Sequence, residues 1–135
     1  MHFTASLLLA LVFCTPTFAN ATNWKSAGKT SSGEHFIDTD SVSVYDGGAR
    51  VTLVTKINVF QVHFFTKYRS LAAHMEFDCR SLKVRNLASR TYSDLDLRGK
   101  LVDEVEVPGE FVDVPPGSAT NLVFDMACGL NTLGK

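Results

Sequence analysis

Three cysteines occur in this chain, one inside an N-terminal leader and two, Cys79 and Cys128, in the body. That second pair limits the possible folds more than any other feature. Residues 1–21 read as a secretory signal, with an apolar run Leu7–Phe13, a break at Thr15-Pro16 and small residues that allow cleavage after Ala19 or Ala21. Export carries the remaining thiols into an oxidising compartment, where an even pair is expected to form a disulfide. Closing a loop of about 50 residues stabilises a fold by roughly 4 kcal/mol on the chain-entropy model. A domain of this size holds about 5–15 kcal/mol in total, so one bridge is enough to decide whether it folds.

Removal of residues 1–21 leaves residues 22–135, enough for one domain and one core. The apolar fraction of 45% and charged fraction of 20% are those of a globular chain rather than a disordered one. The formal net charge is −1, and residues 1–21 contain no Asp, Glu, Lys or Arg, so the body carries the same balance. Nucleic-acid binding is not expected of a near-neutral chain, nor is a polybasic grip on an anionic membrane. No apolar run after Lys25 is long enough to span a bilayer, so no transmembrane segment is expected in the mature chain. Cys14 raises lipid anchoring, but the bulky Phe13 stands where processing needs a small residue. Periplasmic or secreted export is the expectation, with anchoring at Cys14 the weaker alternative.

Six extended segments can be read. Asn23–Ala27 and Glu34–Asp38 come first, and Asp46-Gly47-Gly48 marks a tight turn. Ala49–Asn58 alternates cleanly, with Val51, Leu53, Thr55 and Ile57 on one face and Arg50, Thr52 and Lys56 on the other. Leu71–Arg85 also alternates, placing Met75, Phe77 and Cys79 together, until the parity slips near Ser81, where a bulge or a break is expected. Ala88–Tyr92 and Lys100–Val107 follow, separated by the polar stretch Ser93–Gly99. After Pro115-Pro116-Gly117, Ser118 stands as a helix N-cap. Ala119, Leu122, Val123 and Met126 then recur at helical spacing, and Gly129 suits the C′ position. The expected fold is α+β: an antiparallel sheet of about six strands with one C-terminal helix pinned to it through Cys79 and Cys128.

An ordered set of residues carries a resemblance. It runs from Trp24 through Phe36-Ile37-Asp38-Thr39-Asp40-Ser41-Val42, Arg50-Val51, Tyr68-Arg69-Ser70 and Glu76-Phe77-Asp78-Cys79. It continues with Tyr92, Gly99, Val114-Pro115-Pro116-Gly117-Ser118 and Ala127-Cys128. In this order the chain resembles the surface-adhesin protein E-like family of exported bacterial proteins, over nearly all of residues 22–135. The resemblance implies a small antiparallel sheet with a C-terminal helix held by the Cys79–Cys128 bridge. It also implies adhesion to host matrix proteins.

Several constellations are better explained without chemistry. Asp38-Thr39-Asp40 reads as a strand end running into a turn rather than a metal-bridging pair. Asp94-Leu95-Asp96-Leu97-Arg98-Gly99 imitates the start of a calcium loop, but Arg98 and Val105 stand where oxygen ligands are needed. His35, His63 and His74 show no metal-ligand spacing. No nucleophile with a recognisable base is present. Neither a cofactor, nor a metal, nor an enzymatic activity is expected. Arg80, Lys83 and Arg85 form a mild basic edge, best read as a solvated strand face.

One segment stands out, Val59 to Arg69. It is rich in aromatics, ends in Lys67, Tyr68 and Arg69, and lacks Gly and Pro. The plainer reading is a buried strand with Phe60, Val62 and Phe64 in the core and Phe65 outside. In the other reading the segment is an arm presenting Phe60, Phe64, Phe65, Lys67, Tyr68 and Arg69 to a partner. The function expected is therefore a non-enzymatic exported protein that binds a macromolecule, a host matrix or envelope protein. The alternative is a periplasmic module that holds a small ligand between sheet and helix, or inhibits an enzyme.

Overall fold

Asp78 ends one strand and starts its return, because its carboxylate accepts from the backbone N–H groups of Arg80 and Ser81 at 3.1 and 3.0 Å. The turn it makes carries Leu82 at φ 55°. This hairpin is the centre of the fold in the computed structural model, which describes residues 23–60 and 67–132. The expected leader, Cys14, His63, Phe64 and Phe65 lie outside the described residues.

The strands are β1 (Trp24–Lys29), β2 (Gly33–Asp38), β3 (Ser43–Tyr45), β4 (Arg50–Val59), β5 (Ser70–Asp78), β6 (Lys83–Tyr92), β7 (Leu101–Val105) and β8 (Val112–Asp113). They form one antiparallel sheet in the order β1-β2-β4-β5-β6-β7. The short β3 and β8 extend it, β3 beside β4 and β8 beside β6. The six-strand path matches the expected sheet. The segment read as Leu71–Arg85 is instead β5, a turn and the start of β6, so the parity slip near Ser81 is a strand break. Ala88–Tyr92 is the continuation of β6, and the irregularity between β5 and β6 falls next to Ala88, where His74 pairs with Ala88 but Met75 pairs with Asn86.

The helix α1 (Ala119–Thr132) begins where Ser118 predicts, its Oγ accepting from Asn121 N–H at 3.1 Å. It does not stop at Gly129 as expected but continues one turn further. Its apolar stripe, Val123, Phe124 and Ala127, buries against Ile37, Val51, Leu53, Phe77 and Val84 on one face of the sheet. Burying a side chain of this kind is worth about 1.5–3 kcal/mol. Cys128 is bonded to Cys79, with the Cα atoms 5.8 Å apart, so the disulfide holds the helix to the end of β5.

The opposite face departs from a simple polar surface. Lys56, on the face opposite Val51 and Leu53, has only 8% of its side chain exposed. Its ammonium lies 4.5 Å from the Phe36 ring centre and 4.9 Å from that of Trp24, and 3.0 Å from Asp96. Two aromatic faces and one carboxylate compensate its lost hydration.

Candidate partner-binding surface

The connection after β4 leaves from one end of the sheet. There the backbone is fastened on three sides: Val59 N–H donates to the carbonyl of Arg69 at 2.9 Å, Phe60 N–H to Ser32 at 3.1 Å, and Arg69 N–H to Tyr92 at 2.9 Å. These bonds hold Phe60, Lys67, Tyr68 and Arg69 at a common sheet end. Phe60 is 50% exposed, so it is not the core residue the strand reading requires. Lys67 and Arg69 are exposed and Tyr68 is half-buried. Among the described residues neither Lys67 nor Arg69 forms an ion pair. An apolar ring beside two unpaired cations can anchor and orient a partner.

The basic strand residues do not add to that surface. Lys83 bonds Asp113 at 3.1 Å, and Arg85 reaches Glu76 at 3.2 Å. Arg50 approaches the same carboxylate at 3.6 Å, and the guanidinium groups of Arg50 and Arg85 lie 5.5 and 4.7 Å from the ring centre of Phe111. Glu76 and Phe111 thus use up two of the cations. Arg80 alone of the three basic-edge residues stays exposed.

The loop that imitates a calcium site is a structural brace. Its Asp96 carboxylate accepts from Asn58 Nδ2 at 2.8 Å and from Lys56 Nζ at 3.0 Å, and Asn58 Oδ1 accepts from Asp96 N–H at 2.9 Å. The Asn58 hydrogen bond first, and Lys56 second, hold the Asp96 pKa below the ordinary carboxylate value. Ser70, fully buried, ties the same loop to β5: its hydroxyl donates to the carbonyl of Asp94 and accepts from Leu97 N–H at 2.9 Å. Asp38 accepts from Asp40 N–H at 3.0 Å, as expected of a turn.

His35 and His74 lie on opposite faces of the sheet. Burial pushes both below the ordinary histidine range, opposed in His74 by the charge of Glu76. His35 Nε2 is 3.2 Å from Thr30 Oγ1. Among the described residues no three of His, Cys, Asp and Glu gather as a metal site. Between the first turn of α1 and the apolar sheet face lies a cleft of about 270 Å³. No described residue of the Phe60–Arg69 surface lines it. Asn86, which does, was not singled out in the sequence, because a lone Asn within a strand carries no signal of its own.

The family model described as surface-adhesin protein E matches residues 24–129. Two solved structures of Haemophilus influenzae protein E are similar in fold. The protein in crystal form II is 14% identical with a TM-score of 0.58, covering 75% of this chain and 83% of that one. Protein E from a non-typeable strain is 15% identical with a TM-score of 0.55, covering 80% of this chain and 76% of that one. No curated protein matches the chain. Among the described residues no helix is long and apolar enough to cross a membrane.

Proposed function

The chain belongs to the surface-adhesin protein E family, and from that premise we propose that it is an exported, non-enzymatic adhesin-like protein that binds a macromolecular partner. The partner class is a host matrix or envelope protein. Export is supported by the leader read at residues 1–21 and by the disulfide, a bond that persists in oxidising compartments. Contact is made by Phe60 with Lys67, Tyr68 and Arg69 at the end of the sheet.

The observation that carries this reading is the half-exposed ring of Phe60 on a backbone fixed by hydrogen bonds. A large apolar side chain carried on a hydrogen-bonded backbone needs less ordering of the chain when it is buried in a complex. Its neighbouring cations steer an acidic partner and set orientation.

The test is binding of the oxidised protein to a panel of immobilised, purified extracellular-matrix and envelope proteins. A saturable signal that weakens in Phe60→Ala supports the reading. Absence of saturable binding across the panel, with the far-UV circular dichroism of the folded protein intact, counts against it.

A further inference from the structure

β7 ends the sheet path, and among the described residues no strand lies beyond it. An edge of this kind presents a row of unpaired backbone N–H and C=O groups. The register sets Asp103 opposite Thr91, and Thr91 Oγ1 donates to the Asp103 carbonyl at 3.5 Å, so Asp103 turns its backbone toward β6. Glu104 therefore turns its backbone outward, where its N–H donates to the adjacent Asp103 carboxylate at 2.9 Å. By the same alternation the backbone of Glu106 faces outward. The local bond to Asp103 is exposed, so a strand laid along the edge can replace it.

This edge is both apolar and acidic. Leu101, Val102, Val105 and Val107 are all exposed. Residues 101–113 hold five acidic side chains and no Lys, Arg or His, in a chain whose net charge is only −1. Arg90 reaches Glu104 at 3.2 Å and Lys83 reaches Asp113 at 3.1 Å. Among the described residues Asp103, Glu106 and Glu110 form no ion pair. The hydrogen bond it shares with Glu104, and then the Glu104 charge, hold Glu106 above the ordinary carboxylate value. The opposite edge is built differently. β1 carries Lys25 and Lys29 and an irregularity in mid-strand between Ser26 and Gly28, and both features blunt an edge. In β7 the irregularity falls at the start, beside Tyr92, and residues 103–105 pair regularly.

We propose that β7 is a docking edge for an extended, basic segment of a partner protein, which joins the sheet as a further strand. Backbone bonds to Glu104 and Glu106 attach it. Glu104 and Glu106 project to one face and Val105 to the other, so a segment alternating basic and apolar residues matches both. Charge decides against a second β7, because two copies laid together set acids against acids. The mid-strand irregularity of β1 decides against the basic edge of a second copy. The docking edge shares no residue with the surface around Phe60, and neither assignment rests on the other.

The probe is a short peptide of alternating lysine and valine, blocked at both ends. Titration of the oxidised protein by heteronuclear NMR at low salt is expected to give saturable shifts at the amides of Glu104, Val105 and Glu106, with Kd of about 0.1–1 mM. The same peptide methylated at every backbone nitrogen keeps its charge and loses its backbone donors, and should bind at least about tenfold more weakly. A peptide of alternating glutamate and valine should not bind. Glu106→Lys changes an exposed side chain and should weaken binding of the lysine peptide about tenfold. No saturable shift up to about 5 mM peptide overturns the site. Equal affinity for the methylated peptide overturns strand addition, and unchanged affinity in Glu106→Lys overturns the location. Self-association of the protein alone, with shifts at the same three amides, makes a second copy the occupant and overturns the partner class.

Discussion

Phe124 of the helix meets Phe77 of β5 in an edge-on arrangement, ring centres 6.0 Å apart and planes at 68°, one helical turn before the bridged Cys128. The aromatic pair and the disulfide fasten the same two elements within a few residues of each other. Edge-to-face pairs add about 0.5–1.5 kcal/mol beyond their buried area. A helix of 14 residues is marginal alone, so these two fastenings together keep it on the sheet.

Cys79→Ser, Cys128→Ser and reduction of the parent protein should each lower stability by about 4 kcal/mol, because all three open the same loop. Urea unfolding in the presence and absence of dithiothreitol measures this. The midpoints of both variants should ignore the reductant. Two free thiols titrated in the folded, oxidised protein would refute the bridge.

Ser70→Ala leaves Leu97 N–H and the carbonyl of Asp94 without their buried partner. The expected loss is about 1–3 kcal/mol, more than the hydroxyl's size suggests. The same unfolding experiment reads it, and a loss below about 0.5 kcal/mol would show that water replaces the hydroxyl.

Stability should fall in two stages as the solution is acidified. His35 and His74 have pKa values below the ordinary 6.5, so the unfolded chain takes up protons first. Their contribution is complete above 6.5 and declines as pH drops below it. Asp78 and Asp96 are held below the ordinary 3.8, Asp78 chiefly by the backbone N–H of Ser81 and Asp96 chiefly by Asn58. Their contribution is present above 3.8 and is lost as pH falls from there through the folded values. Unfolding midpoints measured from about pH 8 to about pH 2 should show both stages. His35→Gln should flatten the first stage, and Asp96→Asn the second.

Phe60→Ala, and the double change Lys67→Ala with Arg69→Ala, should each weaken partner binding about tenfold or more. The double change should move stability by no more than about 0.5 kcal/mol and Phe60→Ala by about 1 kcal/mol, since the two cations are exposed, half of the Phe60 ring is, and the Arg69 hydrogen bonds come from its backbone. Surface-based kinetics alongside thermal unfolding separates the two effects. Comparable losses in both would place these residues in the fold rather than at the contact.

The long strands were legible because period-two alternation is strong in β4 and β5, and the helix because Ser118 and its apolar stripe mark it. The hairpin at Cys79–Leu82 was only half legible. It contains no Gly, Pro or Asn, and its turn is made by the side chain of Asp78 acting on backbone two and three residues on. The two-residue β8 and three-residue β3 were not legible at all, since their pairing depends on where β6 and β4 already lie. The burial of Lys56 was not legible for a related reason: it comes from Trp24, Phe36 and Asp96, which converge only after folding. At the candidate surface, composition singled out Phe60 and the cations around Tyr68. It did not reveal that Phe60 faces water, although the alternation of Val51, Leu53, Thr55 and Ile57 continues to Val59 and puts Phe60 on the other side.

The sulfur link also changes how the molecule would carry tension. A pull on the two chain ends runs along the polypeptide to Cys79, crosses to Cys128 and leaves by the last residues. The 49-residue span between them is excluded from that route. At about 3.5 Å per extended residue, roughly 170 Å of contour cannot be drawn out while the link is intact. All of β6, β7 and β8 and most of the helix therefore sit in a lobe that cannot be extended, and stretching can draw out only β1 to β5 and the short tail.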